Sequence, residues 1–153
     1  NITRYLIDTT RHSLSENESR LASELLQASN LVERMGDHFE EVTHLALRKY
    51  EENASFTPQA LSDMTKLRRA LQSLISDLPK AFADGVVEFS DRISLARSLA
   101  EELRQNHIHR LQAGKCTVDA GVIYFDIISH AESVVDHVES VASWMNPGKG
   151  RPA

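Results

Sequence analysis

Two stretches of the chain, 99 residues apart, carry the same pattern of ionisable side chains. Glu33-Arg34-Met35-Gly36-Asp37-His38-Phe39-Glu40 and Glu132-Ser133-Val134-Val135-Asp136-His137-Val138-Glu139 both read E-x-x-x-D-H-x-E. On a helix, Glu33, Asp37 and Glu40 fall at i, i+4 and i+7 and share a face, and His44 extends that row by a turn. Glu132, Asp136 and Glu139 form the matching row. Like charges at this spacing repel, at about 0.2–0.5 kcal/mol per pair. A hard or borderline cation would relieve the repulsion, because closely spaced carboxylate oxygens are the ligands such ions take. These six acids are the candidate metal ligands. Acids on a helix flank are more often simply solvated, but a solvated face has no reason to recur in register with the core. His38 and His137 lie one residue off the rows, about 100° round the helix, where they can reach a neighbouring helix.

Other reactive side chains carry less. Cys116 near His107 and His109 has no Asn or Asp to orient a base and follows a helix-ending glycine, so it reads as a packed residue at a turn. His107 and His109 are not spaced i, i+4 and make a poor zinc pair on one helix. Lys66, Arg68 and Arg69 fall short of the roughly four to eight charges of a lipid-binding patch and read as a solvated face. There is no glycine-rich phosphate loop. Nothing here predicts an enzyme. With 17 Lys+Arg against 22 Asp+Glu, a formal net charge of -5, the chain does not suit a nucleic-acid partner.

Helices must position the two rows. The 153 residues hold only 6 Gly and 4 Pro, well under the usual roughly 12%, and few aromatics, which disfavours a β-sandwich or barrel. Ile2 to about Arg11 reads as the end of a helix, broken at Ser13-Leu14-Ser15. Ser15 with Glu18 is a capping box that opens a long helix to about Glu52. Its stripe of Leu21, Leu25, Ala28, Val32, Met35, Phe39, Val42 and Ala46 steps by four and three, which predicts a face turned to a partner helix. Thr57-Pro58 opens the next helix, and Pro79 is expected to end it. A third helix is expected from Pro79 to about Gln112, weakened locally by Gly85, with Gly114 as left-handed C-cap. Thr117 caps a fourth, ending near Met145. Shifting the stripe by 99 residues places Ala28 on Ile127, Val32 on Ala131, Met35 on Val134, Phe39 on Val138 and Val42 on Val141. The expected fold is all-α, an antiparallel bundle of long helices over residues 1–146, with a flexible tail over 147–153. No run is long and apolar enough to span a bilayer; the best is Gly121 to Phe125.

The repeated motif carries a resemblance. Leu31-Val32-Glu33-Arg34-Met35-Gly36-Asp37-His38 resembles the L-E-R-I-G-D-H signature of the PhoU family. His109-Arg110-Leu111-Gln112-Ala113-Gly114-Lys115-Cys116 and Ala120-Gly121-Val122-Ile123-Tyr124-Phe125-Asp126 are similar to a subgroup. It is the cytosolic PhoU-like domain C-terminal to the membrane region of Na/Pi-cotransporter family proteins. Tyr5-Leu6 and Ser15-Glu16-Asn17-Glu18-Ser19 fit the same subgroup. The resemblance implies a fold of two three-helix repeats. It implies that the first is truncated here and the second, about residues 57–146, complete. By position it also implies metal binding at Glu33 and Asp37, and at Glu132 and Asp136. The second signature lacks the Arg and Gly, and Ser94, in Glu88-Phe89-Ser90-Asp91-Arg92-Ile93-Ser94, stands where the family often has an acid.

The implied function is that of a cytosolic regulatory domain of a Na+/phosphate cotransporter-like membrane protein, at the cytoplasmic face of the inner (plasma) membrane. Its partner would be the transporter region of the same chain, with a homodimer as a further option. The alternative is a stand-alone phosphate-uptake regulator holding Mn, Fe, Zn or Mg. The chain opening at Asn1 in mid-helix pattern is expected to be a piece of a longer protein.

Overall fold

The computed structural model describes residues 2–10, 14–84 and 89–145. Among them there are five helices and no strand: α1 (Ile2–Thr9), α2 (Glu16–Glu51), α3 (Pro58–Asp84), α4 (Ser90–Gln112) and α5 (Val118–Met145). The all-α bundle expected from composition is present. Gly85, Glu88 and the 147–153 tail lie outside the described residues.

The starts follow local chemistry. The Ser15 hydroxyl accepts from the Glu18 amide at 3.4 Å, and the Glu18 carboxylate accepts from the Ser15 amide at 2.8 Å. Thr57 Oγ1 accepts from the Ala60 amide at 3.1 Å, and Thr117 Oγ1 from the Ala120 amide at 3.3 Å. Each bond satisfies a donor that the helix leaves free. After α4, Gly114 takes φ +66, a left-handed conformation that costs glycine little.

The expected boundary at Pro79 is corrected: α3 runs through Pro79 to Asp84, and α4 opens at Ser90. Proline removes one helical hydrogen bond and disfavours helix before it. Packing outweighs this up to the proline itself, because Leu67, Leu71, Leu74 and Leu78 form one buried face that reaches the expected stop. Burying such a side chain contributes about 1.5–3 kcal/mol. Asp77, two residues before the proline, is held by Arg92 of α4 and by Lys80 just beyond it, which keep its carboxyl below the usual range.

Helices α3, α4 and α5 pack against one another, so the segment after Thr57 forms a three-helix bundle around Leu74, Ile93, Leu103, Tyr124, Ile128 and Val138. Helix α2 packs on α5 and carries α1, but no Cα of α2 comes within 8 Å of α3. A second correction follows. The α2 stripe is two columns: Ala28 and Met35 are buried, whereas Leu25, Val32 and Phe39 are 39%, 50% and 41% exposed. One column faces the bundle; the other is left largely exposed. On α5 the matching positions Ala131, Val134, Val138 and Val141 are buried and Ile127 is half-buried, because that helix is flanked by α2, α3 and α4.

Candidate functional site

The two copies of the repeat meet where α2 crosses α5. The helices are antiparallel there: residues 27–37 share a cleft with Ser140 and Ser143, while Leu45 clusters with Ala120 and Ile123. His38 stacks on His137, its equivalent in the repeat, with ring centroids 5.3 Å apart and planes at 27°. His38 Nδ1 also lies 3.0 Å from His130 Nδ1, so one ring donates and the other accepts. Burial, then the neighbouring His137 and His130, hold the His38 pKa below its ordinary value, with Arg34 adding to the effect and Asp37 opposing it.

The predicted acids divide into two sets. Asp37 and Asp136 line one cleft of about 370 Å³ with His38 and His137. Glu33 and Asp37 also line a cleft of about 720 Å³ that reaches Ser140 and Ser143. The α5 row is paired by arginines of α4: Arg97 meets Asp136 at 2.7 Å and Glu139 at 2.5 Å, and Arg104 meets Glu132 and Ser129. Guanidinium forks match carboxylates in this way and remove the repulsion along the row. Glu33, Asp37 and Glu40 are exposed and make no ion pair among the described residues. Among those residues, no three His, Cys, Asp or Glu side chains are grouped to hold a metal ion.

On the other side of the crossing, an apolar groove of about 810 Å³ runs between α2 and α3. Phe39, Val42 and Ala46 form one wall; Leu61, Met64 and Ile75 form the other; Ile127, Ala131 and Val134 make the floor. Lys49 and Arg68 stand on opposite walls, and His38 with His130 also lines the groove. Lys49 Nζ sits 5.1 Å from the Phe56 ring centroid.

A buried polar cluster escapes the sequence reading. Asp63 of α3 is 0% exposed and accepts from Arg110 Nη1 of α4 at 2.9 Å and from Gln59 at 3.0 Å, with Lys66 Nζ at 3.4 Å. Arg110 Nη2 lies 3.3 Å from His107 Nδ1. A guanidinium only donates, so neutral His107 carries its proton on Nε2. That atom has no hydrogen-bond partner and points at Gly121 of α5, where an added Cβ would stand 3.2 Å away. Burial and the Arg110 charge push the His107 pKa down to about 4. The His107 ring stacks on Tyr124 at 4.3 Å, and burial raises the Tyr124 pKa. Asp63 of α3, His107 and Arg110 of α4, and Gly121 and Tyr124 of α5 thus join three helices. The available signal was Asp63 itself, an acid between Ala60 and Leu67 on an apolar face.

No family model, curated protein or solved structure matches this chain.

Proposed function

We propose that this chain is the cytosolic regulatory domain of a Na+/phosphate cotransporter-like membrane protein, acting at the cytoplasmic face of the inner membrane. It biases transport or reports phosphate status through contacts made by helix faces, and it carries no catalysis. The resemblance of the repeated signature supports the class. One structural observation supports the mode of action: a groove lined by apolar side chains lies open between α2 and α3, with Phe39 41% and Leu61 51% exposed on its walls. No helix among the described residues is long and apolar enough to cross a membrane. The test is the coding sequence upstream of Asn1. Apolar segments of about 20 residues are expected there. A uniformly polar upstream sequence would overturn the proposal.

The second reading, a metal-binding phosphate-uptake regulator, is favoured by the unpaired row Glu33, Asp37 and Glu40 and by the cleft that Asp37 shares with Asp136. An ion there would take carboxylates plus water, as Mg and Mn commonly do. Elemental measurement after native loading with Mn, Fe, Zn or Mg checks it. Stoichiometric metal, lost on Asp37→Ala with Asp136→Ala, supports it; none sinks it.

A further inference from the structure

The charged side chains of the open groove are basic, whereas the chain as a whole has a net charge of -5. Among the described residues no acid lines it, while Lys49 and Arg68 stand on its two walls. Neither cation meets a carboxylate among the described residues. On α2 the groove takes Phe39, Val42 and Ala46, and its α3 wall runs from Leu61 to Ser76, about 23 Å of helix. We propose that the α2–α3 groove docks an amphipathic helix of a partner protein, with about 15 residues in the groove, whose apolar stripe is flanked by Glu or Asp. The apolar stripe lies on Phe39, Leu61 and the α5 floor. The flanking acids reach Lys49 on one side and Arg68 on the other, so that the occupant removes apolar surface from water and completes two unpaired cations. This inference rests on the helix-face mode of action proposed above, but not on the phosphate or membrane assignment.

The probe is a pair of 21-residue model peptides. Both have Leu at the a and d positions of three heptads and Ala outside; one carries Glu at e and g, the other Lys. Binding to the whole chain is followed by calorimetry at 0.15 M salt. The Glu peptide is expected to bind at least tenfold more tightly than the Lys peptide. Lys49→Glu with Arg68→Glu should reverse that preference. Phe39→Asp and, on the opposite wall, Leu61→Asp should each abolish binding. All four positions lie at the groove surface, and circular dichroism verifies that each variant remains folded. Three results overturn the proposal. Neither peptide binds at 100-fold excess; or the two bind equally; or sedimentation shows the chain alone forming a dimer that Phe39→Asp dissociates, which gives the groove to a second copy. Failure here with apolar spans present upstream of Asn1 would leave the regulatory reading standing and remove only the docked helix.

Discussion

At the scale of single residues, the strongest constraint is a charge pair placed where water is absent. Asp63 and Arg110 are 0% and 8% exposed. Removing one partner of such a pair leaves the other charge buried alone, which costs about 3–5 kcal/mol, whereas apolar replacement of both can be nearly neutral. Asp63→Leu and Arg110→Met should each lower unfolding free energy by that amount in urea titrations, and the double variant should recover most of the loss. Additive losses would mean that the two do not act as a pair. His107 adds a pH dependence. Its pKa is about 4 folded, against an ordinary 6.5 when unfolded. Between those values the unfolded chain binds a proton that the folded one refuses. Stability is therefore whole above about pH 6.5 and falls as pH drops toward 4, by about 3 kcal/mol from this group. Replacing it by His107→Gln should flatten the stability curve in that window relative to the parent protein. An unchanged slope would remove His107 as the source.

Elements show what sequence can and cannot carry. Helix starts were legible because a cap is local: Ser15 with Glu18, Thr57 before Pro58, and Thr117 each act within three residues. The end of α3 was not, because Pro79 sends a local stop signal while Leu78 answers to core packing contributed by distant helices. The α2 stripe was legible as a stripe, yet periodicity reports only which residues share a face and not whether a helix covers it. The acids were legible as rows; their partners Arg97 and Arg104 sit on another helix, 28 to 42 residues away in sequence. The repeat itself hides an asymmetry. Gly36 and Val135 are equivalent positions, but Val135 is 2% exposed whereas an added Cβ at Gly36 would meet nothing within 4 Å. Glycine inside a helix costs about 0.5–1 kcal/mol relative to alanine. Gly36→Ala should therefore raise stability by that amount in thermal unfolding. A loss of stability would show that this face of α2 is closely approached in the folded protein.

The whole molecule is a three-helix bundle with a long arm laid along one side of it. Helices α3, α4 and α5 are held by mutual burial, by the Asp63–Arg110 pair and by arginine bridges from α4 to α5. Among the described helices, α2 has only α5 beneath it, and α1 has only α2. Opening free energies within one protein range from near zero to the global value, and the poorly covered units open first. Peeling α2 away uncovers Met35, Leu45 and the histidine contacts but leaves the bundle core around Leu103 and Val138 intact. Native-state hydrogen exchange should thus divide the chain: amides in α1 and α2 exchange through a lower-energy opening, together, while central amides of α3, α4 and α5 exchange only at the global unfolding limit. The same separation predicts the effect of filling the groove. A helix bound across Phe39 and Leu61 ties α2 to α3, so the Glu-flanked peptide should slow exchange in α2 far more than in α4, which the groove does not touch. Uniform protection of all five helices, with or without peptide, would mean that α2 belongs to the same cooperative unit as the bundle.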